Sequence, residues 1–324
     1  MFECRLDNGT PIKKIITALK ELVDHAAWDI TEEGIMLQSM DSSHVALVQL
    51  NLIGDDFDNF RCEDVYRLGI NMDNLKKIFT AYTMGDAVHI NCQGGPDADS
   101  VSFVFQDSKN LKSQRYELRL MDLDIEQLGI PEQEYSASFT MLSSEFTRII
   151  KDMLIVGESV TIGVTKGDVT FRTEGELGKA HVTIACDEGL DSVPKKKKSK
   201  KKKSKKESKK KDETKTKVKK EIGDTDDEMN STLASEEEQD EEIDDETDDE
   251  KHEPKLFLDV KEGLELSFAT QYLKKFTAAG PLSKYVMVSM SEDVPMVITY
   301  DIDGLGHLKY FLAPKIEDDD DDYD

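Results

Sequence analysis

The 324-residue chain predicts an α+β fold in which helices lie on one face of antiparallel sheets. Two observations carry that prediction. Short amphipathic segments with lysine or arginine on one side recur at near-even spacing, and between them the hydrophobic period switches from 3.6 to 2. The helical segments start near residues 11, 74, 145 and 270. With one biased segment of 60 residues set aside, the intervals are about 63, 71 and 65, a fourfold internal repeat.

The first helix reads Ile12-Lys13-Lys14-Ile15-Ile16-Thr17-Ala18-Leu19-Lys20. Ile12, Ile15, Ile16, Leu19, Leu22 and Val23 form its apolar stripe, and Lys13 and Lys20 stand two turns apart on another face. Residues 45–52 then alternate as a strand. The second helix is Leu75-Lys76-Lys77-Ile78-Phe79-Thr80-Ala81, followed by strand patterns at 87–90, 101–105 and 116–120. Between the first two of these, Gly94-Gly95-Pro96 is too short for a phosphate loop and reads as a hairpin turn. The third helix carries Arg148 and Lys151 in Phe146-Thr147-Arg148-Ile149-Ile150-Lys151, ahead of strands at 160–164 and 181–185. The fourth, Leu273-Lys274-Lys275-Phe276-Thr277-Ala278, nearly repeats the second. It lies between strand patterns at 256–258 and at 285–290 and 297–300. Residues 124–137 fit neither period. They sit mid-array and retain apolar Leu128 and Ile130, as a connector between two similar halves would.

Charge separates the chain into parts. Lys+Arg is 42 against Asp+Glu 68, a formal −26. Residues 195–220 hold 17 lysines and three acids, and residues 221–254 hold 18 acids and one lysine. Such a segment lacks the apolar mass for a core and is expected to be disordered. Three roles are open to it: a tolerated expansion, a nuclear import signal at 195–211, or an acidic half that masks the basic half until DNA or a loading partner competes. The tail 317–324 is a solvated acidic run. Of the 24 bases outside 195–254, nine lie on the four helices. An acidic chain that concentrates base on a repeated element has one local surface suited to a polyanion such as nucleic acid.

Cys4, Cys62, Cys92 and Cys186 have no short spacing and are expected to be reduced, as in the cytosol or nucleus. No apolar run reaches the roughly 18 residues of a membrane helix, and the first residues lack a signal-peptide core, so a soluble, non-secreted protein is expected. No catalytic or metal-binding pattern is present, and no cofactor is expected. Asp41, Ser42, Ser43 and His44 adjoin in sequence, whereas nucleophile and base must converge in a pocket.

Several long strings are specific enough to compare. Asp29-Ile30, Gly34 through Val45 (GIMLQSMDSSHV), Leu120 through Asp124 with Gln127 through Tyr135, Gly175-Glu176-Leu177-Gly178, Ser289-Met290 with Asp293-Val294-Pro295, and Gly306 through Glu317 resemble the eukaryotic sliding clamps, the proliferating cell nuclear antigen family. The resemblance covers 1–193 and 255–317. The segment 195–254 has no counterpart in it. It implies a clamp domain at 1–119, a connector at 120–137 and a second clamp domain at 138–324, interrupted by the insertion. It implies a homotrimeric ring in which an edge near 111–119 meets a neighbour's edge near 180–186.

The expected function is a nuclear processivity factor without enzymatic activity. It would encircle double-stranded DNA, be placed by an ATP-dependent clamp loader, and tether polymerases and other PIP-box-type partners in replication and repair. By the resemblance, Lys13, Lys14, Lys20, Lys76, Lys77, Arg148, Lys151, Lys274 and Lys275 face DNA. Gln271 and Ala278 stand where the family usually has a base. The partner-peptide pocket is expected from Met40, His44, Val45, Leu47, Leu128, Ile130, Pro131, Tyr135, Pro295, Phe311, Ala313 and Pro314, with Phe311 replacing a usual tyrosine. Lys166 falls at the family's acceptor for ubiquitin-type isopeptide bonds, in Lys-Gly-Asp where Lys-Asp-Gly is familiar. Two alternatives differ in kind: a subunit of a heterotrimeric checkpoint clamp, and an acidic histone-binding chromatin protein.

Overall fold

The computed structural model describes residues 1–107, 109, 111–123, 128–130, 133–186 and 256–315. Their order states one theme four times: strand, helix, three strands. The first unit is β1 (Phe2–Leu6), α1 (Thr10–Lys20), β2 (His25–Thr31), β3 (Gly34–Met40) and β4 (Ala46–Ile53). The second adds a leading strand, β5 (Asn59–Cys62), before β6 (Tyr66–Asn71), α2 (Met72–Thr80), β7 (Ala87–Cys92), β8 (Ser100–Gln106) and β9 (Ser113–Arg119). The third is β10 (Ala137–Leu142), α3 (Ser143–Val156), β11 (Ser159–Val164), β12 (Asp168–Gly175) and β13 (Gly178–Ala185). The fourth again has a leading strand, β14 (Leu256–Val260), then β15 (Leu264–Ala269), α4 (Thr270–Phe276), β16 (Tyr285–Met290), β17 (Met296–Ile302) and β18 (Gly306–Leu312).

Local chemistry accounts for the helix ends. Pro11 sits in the first turn of α1, where its fixed φ suits the helix and its missing N–H costs nothing. Asn71 caps α2, its side chain accepting from the Asn74 N–H at 2.9 Å. The sequence draws one continuous fourth helix through residue 278. The structure ends α4 at Phe276 and tightens the chain into a 3-10 segment, Thr277–Leu282. Pro281 explains the change, because an α-helical turn would drive its ring into the carbonyl four residues back.

The pairing repeats between halves. The first half forms β5-β1-β7-β8-β9 and β4-β3-β2-β6. The second forms β14-β10-β16-β17-β18 and β13-β12-β11-β15. Then β18 pairs antiparallel with β4, from Gly306 opposite Leu52 to Leu312 opposite Ala46, fusing two of these into a nine-stranded sheet. Gly306 makes the approach possible. Its φ is +147°, and a Cβ there would meet the Asn51 carbonyl oxygen at 2.0 Å. The strands in the corresponding positions, β9 and β13, each have one partner among the described residues, β8 and β12 respectively.

Alternation assigns the two sheet faces. Ile35, Leu37, Val48, Leu50, Leu308 and Tyr310 point to the helices and are buried. On that face the ring of Phe276 from α4 stacks on Tyr310 at 4.4 Å between centroids. Cys4, Cys62 and Cys92 are free thiols on adjacent strands, and burial pushes the pKa of each up. Gly94 and Gly95, both at positive φ, turn the chain between β7 and β8 as a hairpin, as the sequence predicts. No helix among the described residues is long and apolar enough to cross a membrane.

Candidate nucleic-acid surface and partner groove

The four helices share one layer. α1 packs on α2 and on the 3-10 segment after α4, and α3 packs on α4 and on that same segment. The Lys14 Nζ donates to the Pro281 carbonyl at 2.8 Å, tying the first half of the layer to the second. The nine cations named from the sequence all ride on this layer, yet they differ in freedom. Lys77, Arg148, Lys151 and Lys274 are exposed, Arg148 with Glu145 at 3.8 Å. Lys76 lies 3.5 Å from Glu21. Lys13 donates to the Tyr82 carbonyl at 3.3 Å and sits 5.7 Å from the centre of its ring, and Lys275 lies 5.3 Å from that of Tyr272. Lys20 is the most committed. Its side chain is only 18% exposed and bonds Asp24, with Asp73 at 3.3 Å. The hydrogen bond to Asp24 is the main cause of its raised pKa, and Lys20 in turn lowers that of Asp24.

On the opposite face, register aligns an apolar row. Met40 lies opposite Leu47, Leu47 opposite Phe311, and Phe311 opposite Val297. Cross-strand partners share a face, so these four side chains run across β3, β4, β18 and β17. Beside them opens a cavity of about 500 Å³. Gln38, Ser39 and Met40 of β3, Leu47 of β4 and Leu128 of the connector line one side. Ser42 and His44 supply the rim, and Leu22, Val23, Asp24 and His25 form the wall where α1 runs into β2.

Gln38 positions the connector. Its side-chain amide donates to the Leu128 carbonyl at 3.0 Å and accepts from the Leu128 N–H at 2.5 Å. At one end the Met121 N–H donates to the Gly69 carbonyl at 2.8 Å, a contact a Cβ at Gly69 would block by meeting the Met121 oxygen at 2.0 Å. At the other, Lys261 reaches Glu134 at 2.6 Å and its N–H donates to the Ser136 carbonyl at 2.9 Å. The connector thus starts at the β6 edge, passes over β3 and ends at β10.

Asp41 fixes the rim. Its carboxylate accepts the N–H groups of Ser43, Val45 and Ala46 at 2.8–2.9 Å and the Tyr272 hydroxyl at 3.0 Å. Burial alone would raise its pKa, but the four hydrogen bonds outweigh that and hold it below the usual carboxylate range. This turn carries His44 at φ +58°, in the left-handed region. Asp41→Ala is expected to cost about 2–4 kcal/mol in urea unfolding, because four donors lose their acceptor. A depressed pKa contributes stability above the unfolded value of about 4, and the contribution drains as pH falls through the folded value. Acid melts should therefore be shallower for Asp41→Asn than for the wild type.

A family model for the N-terminal domain of proliferating cell nuclear antigen matches residues 1–128, and its C-terminal counterpart matches 129–207 and 233–315. The chain belongs to the proliferating cell nuclear antigen family of sliding clamps. The two clamp matches meet inside the connector and leave out 208–232 and 316–324, so the internal stretch without a counterpart is narrower than the expected 195–254.

Of the clamp's expected pocket residues, Met40, His44, Leu47 and Leu128 line the cavity. Phe311 joins through the cross-strand row, and the Ala313 N–H donates to the Val45 carbonyl at 3.4 Å, bringing both to the rim. Val45, Ile130 and Pro295 are exposed, and Tyr135 and Pro314 half-buried, outside the cavity lining. Pro131, the insertion 195–254 and the tail 317–324 lie outside the described residues. Gln38, Val297 and the wall from Leu22 to His25 are additions that sequence reasoning missed. The alternation of β3, which puts Gln38 on Met40's face, was the available signal for the first. Lys166 is exposed in the β11–β12 turn, where the Thr165 N–H donates to the Asp168 carbonyl at 2.9 Å and the Cys186 N–H to that of Gly167 at 2.8 Å. Among the described residues, no three His, Cys, Asp or Glu side chains converge as a metal site.

Proposed function

We propose that this clamp is a homotrimeric, non-enzymatic ring that encircles duplex DNA in the nucleus and tethers polymerases and repair factors through the outer groove. One observation carries the reading. Two edges, β9 and β13, hold the same topological places as the pair β18 and β4 that already joins the two halves. A contact repeated head-to-tail with a constant rotation closes a ring, and the family supplies the number three.

The internal junction also gives a register. It sets Tyr310 opposite Val48 and Leu308 opposite Leu50. The matching ladders put Tyr116 and Gln114 in the places of the first partners, and Ala180 and Val182 in those of the second. Glu117 then faces Lys179 of the adjoining copy, opposite charges across the seam. Tyr116, Ala180, Val182 and Ile184 are only half-buried in the single chain and would be covered.

The helix layer would line the hole. Lysine and arginine meeting phosphates give salt-dependent contact that reads no sequence, which suits sliding. The groove, with its apolar row and ordered rim, would take the aromatic and aliphatic plugs of a partner peptide. A clamp loader would open one seam with ATP. The lysine block 195–211 would direct nuclear import, and exposed Lys166 would accept a ubiquitin-type modifier. A topological tether makes a sharp prediction: loaded clamp should persist on a nicked circle and run off once the circle is linearised. Equal lifetimes on the two templates would refute encirclement.

A further inference from the structure

We propose that Asp24 makes the α1 side of the groove a subsite for a cationic side chain, lysine or arginine, carried by the docked peptide beside its apolar plug. The inference rests on reading the groove as a peptide site and names a specificity determinant within it.

The cavity has two unlike sides. Met40, Leu47 and Leu128 present apolar surface, and Met40 and Leu128 remain 38% and 44% exposed. Across from them, Asp24 carries the one formal charge at neutral pH among the lining residues. It ends the segment that follows α1, and its backbone carbonyl accepts the Met72 N–H at 2.9 Å, so its position is fixed by the fold. Its side chain is 70% exposed. Oδ1 takes Lys20, while Oδ2 accepts no hydrogen bond among the described residues. Lys20 does not cancel the charge, because it also serves Asp73. Within ion-pair distance, one cation is shared between two carboxylates. Lys275 on α4 also acts on Asp24, at longer range. His25 beside it lies 3.4 Å from the Asn71 amide through Nδ1.

Charge complementarity therefore selects the occupant. A neutral plug fills the apolar side, and an adjacent guanidinium or ammonium meets Oδ2. The chain's formal −26 attracts such a peptide at long range as well. The site is open to solvent, so the effect is a preference rather than a requirement.

The test uses labelled synthetic peptides with one apolar–aromatic plug and either arginine or its neutral isostere citrulline at each flanking position in turn. Binding to the full chain is measured by fluorescence anisotropy at low and high salt. For at least one position the wild type should favour arginine by about 2- to 5-fold at low salt, falling toward unity at about 0.5 M. In Asp24→Asn the ratio should drop to about one with citrulline-peptide affinity unchanged, and Asp24→Glu should restore it. A preference that survives Asp24→Asn, or none in the wild type at any position, overturns the subsite alone. Failure of every citrulline peptide to bind the wild type would overturn the groove reading, and the subsite with it.

Discussion

Val182→Asp is expected to convert an assembly of about 110 kDa into single chains of 36.6 kDa. Val182 is half-buried on β13, on the face turned to the core, and the junction would place Gln114 of the adjoining copy over it. A carboxylate covered there finds no cation, and burying it unpaired costs several kcal/mol. A loss of about 3–4 kcal/mol per seam weakens association by roughly 10²- to 10³-fold. Each chain keeps its own β18–β4 junction, so circular dichroism should be unchanged. Thr183→Asp is the control. Thr183 is exposed on the other face of the same strand, so its carboxylate stays in water and the assembly should survive. Light scattering over a dilution series reads both. Wild type and Val182→Asp of equal mass at every concentration would defeat the ring, and a wild type that is always single would favour a clamp completed by other subunits.

The second large effect concerns the helix layer. Joint replacement of Lys77, Arg148, Lys151 and Lys274 by alanine removes the four exposed cations of the nine. Each lost phosphate contact takes about 0.9 from the slope of log K against log salt. Duplex affinity at about 50 mM salt should fall 10- to 100-fold, and DNA synthesis with a tethered polymerase should shorten accordingly. Lys20→Ala should behave differently. Lys20 already holds Asp24 and Asp73, so its loss should lower the melting temperature slightly and leave the salt slope nearly intact. A flat response to the fourfold variant would remove the helix layer from DNA contact.

These outcomes also mark what the chain made legible. The four basic helices and nine of the eighteen strands among the described residues were readable, because each presents one clean period. β2 was missed, since Ala26, Ala27 and Trp28 are all buried and give no alternation. The nine-stranded sheet was out of reach for another reason. Nothing in residues 46–53 or 306–312 encodes that they are partners, and only long-range register does. The groove divided along the same line. Met40, His44, Leu47 and Leu128 came from a resemblance in long strings, whereas Gln38 and Asp24 act through contacts spanning 90 residues and one helical turn. Sequence also could not rank the lysines, because whether a cation is spoken for depends on acids brought near by folding. Asp73 beside Lys20 is the clearest case.

The fused sheet has a consequence for how a hoop of such chains would come apart. A seam whose two sides belong to one polypeptide obeys no mass action: its halves stay at a high effective concentration however dilute the solution. Seams between molecules weaken with every dilution. A hoop of three chains would hold six joints of similar make, and only the three lacking a covalent leash could respond to scarcity or to a protein that pries. Gly306 lets two backbones touch within one chain, and the covalent leash there leaves the three joints between molecules to serve as the door.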